Sequence, residues 1–248
     1  MGERPHYYED LNKALLRLWG RRSGLRVLDV GCGYASTSQH IARLGNELVG
    51  IEQNPASVAV AKTRIAEVIA CDLEDYAGVD TALGERRFDV VLFADVLEHL
   101  VSPAAVLRHY ARYLCGGGTV IVSLPNFALW SIRLEVLAGF LVYEDSGVLD
   151  KTHIRFFTRR TAKGMLRDAG LEPIRTTYNP GLLRPFVPLA KRVVLARANE
   201  RESDRRFLVE SGPYAFYLRF LYPLEHAIAR LWPTLLAWQI VVESRRRA

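Results

Sequence analysis

The sequence predicts a doubly wound α/β fold, and three observations support this prediction. Short apolar strands alternate with helical segments, a glycine turn directly follows the first strand, and a run of three glycines precedes the fifth. Such alternation produces a mostly parallel sheet, because each crossover helix returns the chain to the same edge and covers a face. A chain of 248 residues can form one such domain with a sizeable insertion.

The first half of the chain supplies most of the predicted elements. Leucines 11, 15, 16 and 18 indicate a first helix that ends at Gly20. Short apolar runs bounded by turn residues then predict strands, and longer segments between them predict helices. The predicted strands are 25–30, 47–52, 68–71, 88–93 and 119–123, and the helices between them are 36–44, 55–67 and 103–114.

The second half is less regular. A helix is predicted at 161–169, with Gly170 as its stop, followed by a strand at 172–177 and a last strand at 236–242. We therefore expect one domain, 1–248, in which 1–24 form an N-terminal helix and 25–180 the core. A helical insertion or lid (181–233) then separates the last two strands, and 234–248 hold the final strand and a basic tail.

Residues 27–35 have the composition of a nucleoside-binding turn. Gly31 and Gly33 let the main chain turn sharply and approach a ligand, and the N–H groups of the following helix favour a carboxylate. Glu52 lies 21 residues after Gly31, at the end of the second strand, where an acid can hold both ribose hydroxyls. A nicotinamide-dependent dehydrogenase would share this geometry, but the third glycine of its fingerprint would fall on Ser36.

Residues 28–33 (LDVGCG) resemble motif I of class I S-adenosylmethionine-dependent methyltransferases, with Ala35 where many members carry a third glycine. Further matches follow in family order at 71–73, 88–91, 94–100 and 114–123. The resemblance implies a Rossmann-like, seven-stranded sheet with an antiparallel last strand and a helical insertion before it. It also implies S-adenosyl-L-methionine as the cofactor.

By this resemblance, Asp29 and Gly31 lie near the methionine part of the cofactor, Glu52 binds the ribose, and Asp72 faces the adenine amino group. We expect no metal. The full set of expected cofactor-binding residues is Asp29, Gly31, Cys32, Gly33, Glu52, Gln53, Asp72, Leu73, Ala94 and Asp95.

Residues 123–126, 130–134 and 150–158 resemble a bacterial subgroup that includes methionine-biosynthesis, ubiquinone-biosynthesis, polysaccharide and natural-product methyltransferases. This resemblance leaves the substrate open. We expect O-methylation of a small-molecule, saccharide or lipid-linked acceptor, in which alignment contributes more than any one base. The base candidates are His153 and His99, because neutral imidazole accepts a proton near pH 7. The alternatives are a structural hydrogen bond or core packing for His153, and shaping of the cofactor pocket for His99.

Two other functions stay open. A protein with this fold could bind the cofactor and only assist a partner. A nucleic-acid methyltransferase is disfavoured, because amino-methyltransferases acting on bases resemble one another in an Asn/Asp-Pro-Pro-aromatic tetrad, and residues 94–97 read ADVL instead.

The tail carries the whole formal charge of +6, with 12 basic and 6 acidic residues after Pro180. It is either a solvated helix face or a surface for nucleic acid, anionic lipid or a phosphorylated substrate. The aromatic segment 214–232 is a lid, a core helix or an interfacial membrane helix.

The expected cellular location rests on features that the sequence lacks. The start of the chain has no signal-peptide pattern, no apolar run is long enough to span a bilayer, and the three cysteines have no paired spacing. We expect a cytoplasmic protein, peripheral to the inner face of the membrane if residues 181–233 contact lipid. The sequence predicts no oligomeric state.

Overall fold

A computed structural model of the chain describes residues 11–183 and 217–247. The described chain forms one seven-stranded sheet in the order β3-β2-β1-β4-β5-β7-β6. The strands are β1 (Arg26–Val30), β2 (Glu47–Glu52), β3 (Glu67–Ala70), β4 (Phe88–Ala94), β5 (Leu114–Pro125), β6 (Leu171–Pro180) and β7 (Ala237–Arg246).

The predicted sheet is confirmed. Strand β1 pairs in parallel with β2 and β4, and the parallel arrangement continues to β3 and β5. The last strand in sequence, β7, lies between β5 and β6 and is antiparallel to both. The carboxyl ends of β1 to β6 therefore meet the start of β7 at one edge of the sheet, where ligands bind in folds of this kind.

Helices cover both faces of the sheet, as the doubly wound prediction requires. One apolar core packs α1, α2 and α3 against the sheet, and the other packs α4, α5 and α7 against the opposite face. The described helices are α1 (Lys13–Trp19), α2 (Ser36–Arg43), α3 (Pro55–Ala61), α4 (Tyr76–Leu83), α5 (Pro103–Ala111), α6 (Trp130–Leu137), α7 (Arg159–Asp168), α8 (Tyr222–Leu231) and α9 (Pro233–Leu236).

Some predicted boundaries were wrong. The helix predicted at 55–67 ends at Ala61, and α4 and α6 had no predicted counterpart. Strand β5 starts earlier than predicted because its three glycines lie within it, where Gly117 has φ +82° and the pairing with β4 shifts register. Short helices with one or two apolar anchors give too weak a periodicity to detect in a single sequence.

Residues 217–233 of the predicted insertion are mostly helical, whereas residues 181–183 are not. A π-helix (Tyr217–Leu221) leads into α8, and α9 then delivers the chain to β7. Residues 184–216, which include most of the predicted insertion and the start of the aromatic segment, lie outside the described residues. No helix among the described residues is long and apolar enough to cross a membrane.

Candidate functional site

The loop after β1 is shaped by glycine. Gly31 has φ +71° and Gly33 has φ +54°, a left-handed backbone that glycine adopts without steric cost. A Cβ on Gly31 would lie 2.8 Å from the Val96 Cγ2 atom, so only glycine fits there. The N–H groups of Gly31 and Cys32 both donate to the carbonyl of Ile51, which fixes the loop against the end of β2.

Glu52 connects this loop with the next one. Its Oε2 atom accepts a hydrogen bond from the N–H of Gly33 (2.9 Å), and its Oε1 atom accepts one from the N–H of Asn54 (2.8 Å). The side chain is half-buried, and each carboxylate oxygen keeps a lone pair for a further donor. The arrangement suits a carboxylate that receives two neighbouring hydroxyls.

Asp29 is a buried acid at the same edge. Its Oδ2 atom accepts a 2.5 Å hydrogen bond from the Ser38 hydroxyl, whereas its Oδ1 atom is buried without a hydrogen-bond partner among the described residues. Burial raises the pKa of Asp29 to about 7, the Ser38 bond opposes this rise, and the charge of Glu52 adds to it. A buried carboxylate oxygen without a partner is a fitting place for a cationic group of a ligand.

Two further residues of the turn have structural explanations. The Cys32 thiol packs against Gly50, where a Cβ would lie 2.7 Å from the Cys32 Sγ atom. Burial raises the pKa of this thiol, which keeps it protonated and unreactive. Ala35, at the position of the family's third glycine, has φ +53° and so adopts the conformation for which glycine is preferred.

The sequence candidates that follow β2 and β3 reach the same edge but are less enclosed. Leu73 lies near Gly31, because its Cδ2 atom would be 3.6 Å from a Cβ on that glycine. Gln53 and Asp72 are exposed, and one carboxylate oxygen of Asp72 accepts from the N–H of Glu74 (2.9 Å). Their side chains lie open to solvent at the rim of the edge.

The end of β4 carries Ala94 and Asp95, both half-buried. Asp95 has φ +57°, a left-handed backbone in a residue other than glycine. Its carboxylate accepts from the Ser123 hydroxyl (2.9 Å) and from the Gln239 amide, at 2.7 Å to each oxygen. The sequence interpretation missed Ser123 and Gln239, although each is a polar residue within an apolar strand.

The two predicted histidines lie together. Their ring centroids are 4.8 Å apart, and the Nδ1 atom of each faces a main-chain carbonyl, that of Thr152 for His99 and that of Val148 for His153. His99 is half-buried and His153 is 4% exposed. Burial and the neighbouring His153 lower the pKa of His99, which favours neutral imidazole at pH 7.

Glu98, which belongs to the family match at 94–100 but was not a candidate for catalysis or cofactor binding, lies next to His153. It is buried, and its Oε1 atom is 3.9 Å from the His153 Nε2 atom. Both carboxylate oxygens lack a hydrogen bond among the described residues, and burial raises the pKa of Glu98 well above its usual range. The donor atoms of Glu98, His99 and His153 lie within 4.8 Å of one another, a set that could hold a divalent cation.

Three comparisons place the chain among known proteins. The family described as Methyltransferase domain matches residues 3–176. A ubiquinone biosynthesis O-methyltransferase of Cereibacter sphaeroides is 34% identical over 157 residues, which cover 61% of this chain and 62% of the relative. The chain thus spans about three fifths of the length of the curated relatives it matches.

Solved structures share the fold at low sequence identity. A SAM-dependent methyltransferase from Archaeoglobus fulgidus has a TM-score of 0.59 and 16% identity, covering 94% of this chain and 91% of that one. A structure described as a cyclase has a TM-score of 0.54 and 19% identity, covering 98% of this chain and 87% of that one. The fold is therefore shared by proteins of different activity.

Proposed function

The chain belongs to the class I S-adenosylmethionine-dependent methyltransferase family, and from this premise we propose that it methylates an oxygen atom of an acceptor. The observation that carries the proposal is the site at the carboxyl edge. There a glycine loop, a half-buried Glu52 and a buried Asp29 oxygen without a partner lie close together. The similarity to ubiquinone biosynthesis O-methyltransferases supports oxygen as the acceptor atom.

The described residues fit S-adenosylmethionine. Glu52 has spare lone pairs for the ribose hydroxyls, and the Oδ1 atom of Asp29 has none of its hydrogen bonds satisfied, which suits the α-ammonium group. Gly31, Cys32 and Gly33 form the turn beside the methionine part, with Ala94 and Asp95 opposite. Gln53, Asp72 and Leu73 would border the adenine, since they lie at the ends of β2 and β3.

The bound cofactor supplies an activated methyl group on a sulfonium sulfur. The protein then has to orient the acceptor oxygen in line with the departing sulfur and accept its proton. We assign the proton acceptor to His99, which is half-buried, whereas His153 lies behind it and is 4% exposed. The Nδ1 atom of His99 donates to the Thr152 carbonyl, so its Nε2 atom keeps a lone pair for the proton.

The proposed function is tested by calorimetry followed by turnover. We expect the purified protein to bind S-adenosylhomocysteine and to transfer a labelled methyl group to a member of a panel of phenols, saccharides and lipid-linked alcohols. Binding without transfer to any of them would support the alternative, a cofactor-binding protein that assists a partner. Absence of binding to folded protein would overturn the assignment, and labelling of RNA or DNA would replace an oxygen acceptor with a nucleic acid.

The histidine roles are tested separately. His99→Gln should lower kcat by about 10²–10⁴-fold and leave the affinity for S-adenosylhomocysteine unchanged, because a general base acts on the acceptor. His153→Gln is the matched comparison, since the His153 ring lies against the His99 ring but is buried. Unchanged turnover in His99→Gln, together with loss in His153→Gln, would move the base to His153.

If the acceptor is lipid-linked, α8 and the residues beside it would contact the membrane. Phe220, Leu224, Leu231 and Trp232 are exposed, so the alternative of core packing does not describe their side chains. Exposed apolar residues beside Arg219 and Arg230 suit the interface of an anionic membrane. We expect co-sedimentation with phosphatidylglycerol vesicles that Leu231→Ser/Trp232→Ser weakens, and no sedimentation of the wild type would leave the segment as a lid.

A further inference from the structure

Five polar side chains form a closed ring of hydrogen bonds at the carboxyl edge of the sheet. Asn12 donates to Ser123 (2.7 Å), and Ser123 donates to Asp95 (2.9 Å). Gln239 donates to both oxygens of Asp95, Asn179 donates to Gln239, and Asn179 also donates to Asn12 (3.1 Å). Four of the five are at most 6% exposed and Asp95 is half-buried, so most of the ring lies in the interior of the protein.

The members come from five separate parts of the chain. Asn12 caps α1, Asp95 follows β4, Ser123 lies on β5, Asn179 on β6 and Gln239 on β7. The ring therefore joins the end of β4, where the proposed cofactor site lies, to the two strands that complete the sheet. A buried polar network with every member paired fixes one arrangement of its side chains.

The direction of donation singles out Asp95. Asn179 offers N–H to the Gln239 carbonyl oxygen, and Gln239 offers N–H to Asp95, so the amide of Gln239 has one orientation that satisfies both ends. Rotating that amide would place its oxygen against the carboxylate. The ring thus presents donors to Asp95, and hydrogen bonds to an ionised carboxylate are stronger than those between neutral groups.

Asp95 needs such restraint because its backbone is strained. A left-handed conformation is unfavourable for a residue other than glycine and persists where surrounding contacts determine it. Beyond the side-chain bonds, the N–H of Asp95 donates to the carbonyl of Ser123 (3.2 Å). This conformation turns the chain from β4 into the Leu97–His99 3-10 helix, so it sets where Ala94 and Asp95 face the cofactor.

We propose that Gln239 is a positioning residue for the cofactor site, acting from β7 through both carboxylate oxygens of Asp95. This rests on the proposed function, in which Ala94 and Asp95 border the methionine end of the cofactor. Gln239 itself touches Asp95 and Asn179 rather than the glycine loop, so its effect on the cofactor is indirect. Leucine at this position would remove all donors, and glutamate would set a second carboxylate against Asp95.

The test measures S-adenosylhomocysteine affinity by calorimetry, with the apo Tm recorded for each variant. Gln239→Leu should weaken binding at least about tenfold, the factor expected for losing one charge-assisted interaction. Gln239→Glu should weaken it further. Tyr222→Phe is the matched control, because the Tyr222 hydroxyl donates to Asn179 at the outer side of the ring (3.4 Å), and its removal should change affinity less than about twofold.

A merely structural role predicts a different pattern, in which the apo Tm falls in Gln239→Leu while affinity stays within about twofold of wild type. That outcome would overturn the proposal. If Gln239→Leu does not fold, Ser123→Ala removes the other side-chain donor to Asp95 and should weaken binding about threefold. Wild-type affinity in a folded Ser123→Ala would then overturn it, and failure of the wild type to bind would instead overturn the proposed function.

Discussion

We expect Asp29 to make the affinity for the cofactor depend on pH. Burial raises its pKa to about 7, and the proposed partner of its Oδ1 atom is a cation, so ligand binding requires the ionised form. With this pKa, about a tenth of the free protein is ionised at pH 6 and about nine tenths at pH 8. We therefore expect S-adenosylhomocysteine to bind about tenfold more tightly at pH 8 than at pH 6.

Stability without ligand should change in the opposite direction. Because the folded-state pKa lies above the unfolded value, the folded state holds the proton more strongly, and stability is lost as pH rises towards about 7. The slope for one group is about 1.4 kcal/mol per pH unit in that window. Denaturant unfolding at pH 5, 6 and 7 measures this slope, and calorimetry at pH 6, 7 and 8 measures the affinity.

Asp29→Asn is the control for both measurements. The amide keeps the shape of the side chain and an oxygen for the Ser38 hydroxyl, but it cannot ionise. Its affinity should be low and nearly independent of pH, and the stability slope should disappear. A flat affinity profile in the wild type, or the same profile in Asp29→Asn, would refute the role given to this acid.

Three other changes test the local geometry. Gly31→Ala should lower S-adenosylhomocysteine affinity at least about tenfold by calorimetry, because its Cβ would lie 2.8 Å from Val96, and unchanged affinity would refute the steric argument. Ala35→Gly should raise the free energy of unfolding by up to about 1 kcal/mol in urea titration, since it relieves a left-handed alanine at φ +53°. A large decrease in the free energy of unfolding would contradict this expectation. Glu243→Ala should lower the free energy of unfolding by about 1–2 kcal/mol in the same titration, because Glu243 is buried and pairs with Arg22 at 2.7 Å, whereas the arginine left behind is partly exposed. A loss below about 0.5 kcal/mol would show that the pair contributes little.

Local sequence signals predicted the first half of the fold well. The predicted strand at 47–52 coincides with β2, and the glycine turn, Asp29 and Glu52 lie together as the motif requires. These features depend on neighbours in the chain, on glycine's conformational freedom and on the shared edge of parallel strands, all of which can be inferred from spacing.

Features that depend on distant contacts were not predictable in this way. Gln239 and Ser123 are 144 and 28 residues from the Asp95 they bind, and no local pattern joins them. The contact between Glu98 and His153 likewise depends on how the chain between these two residues folds back, which no local pattern predicts. The excess basic charge of the tail has a partial explanation, because the Arg246 guanidinium donates to the Ala111 carbonyl at the end of α5, where a positive group is favoured.

The place of β7 inside the sheet determines the order in which this protein can be assembled. Among the described strands β6 pairs with β7, so it has no strand partner until residues more than fifty positions later in the chain have been synthesised. During that interval its apolar face and open main-chain groups are exposed to other chains. Insertion of β7 thus joins β6 to the rest of the sheet. The same step brings Gln239 to Asp95, so under our proposal the cofactor site takes its final form only when β7 is in place.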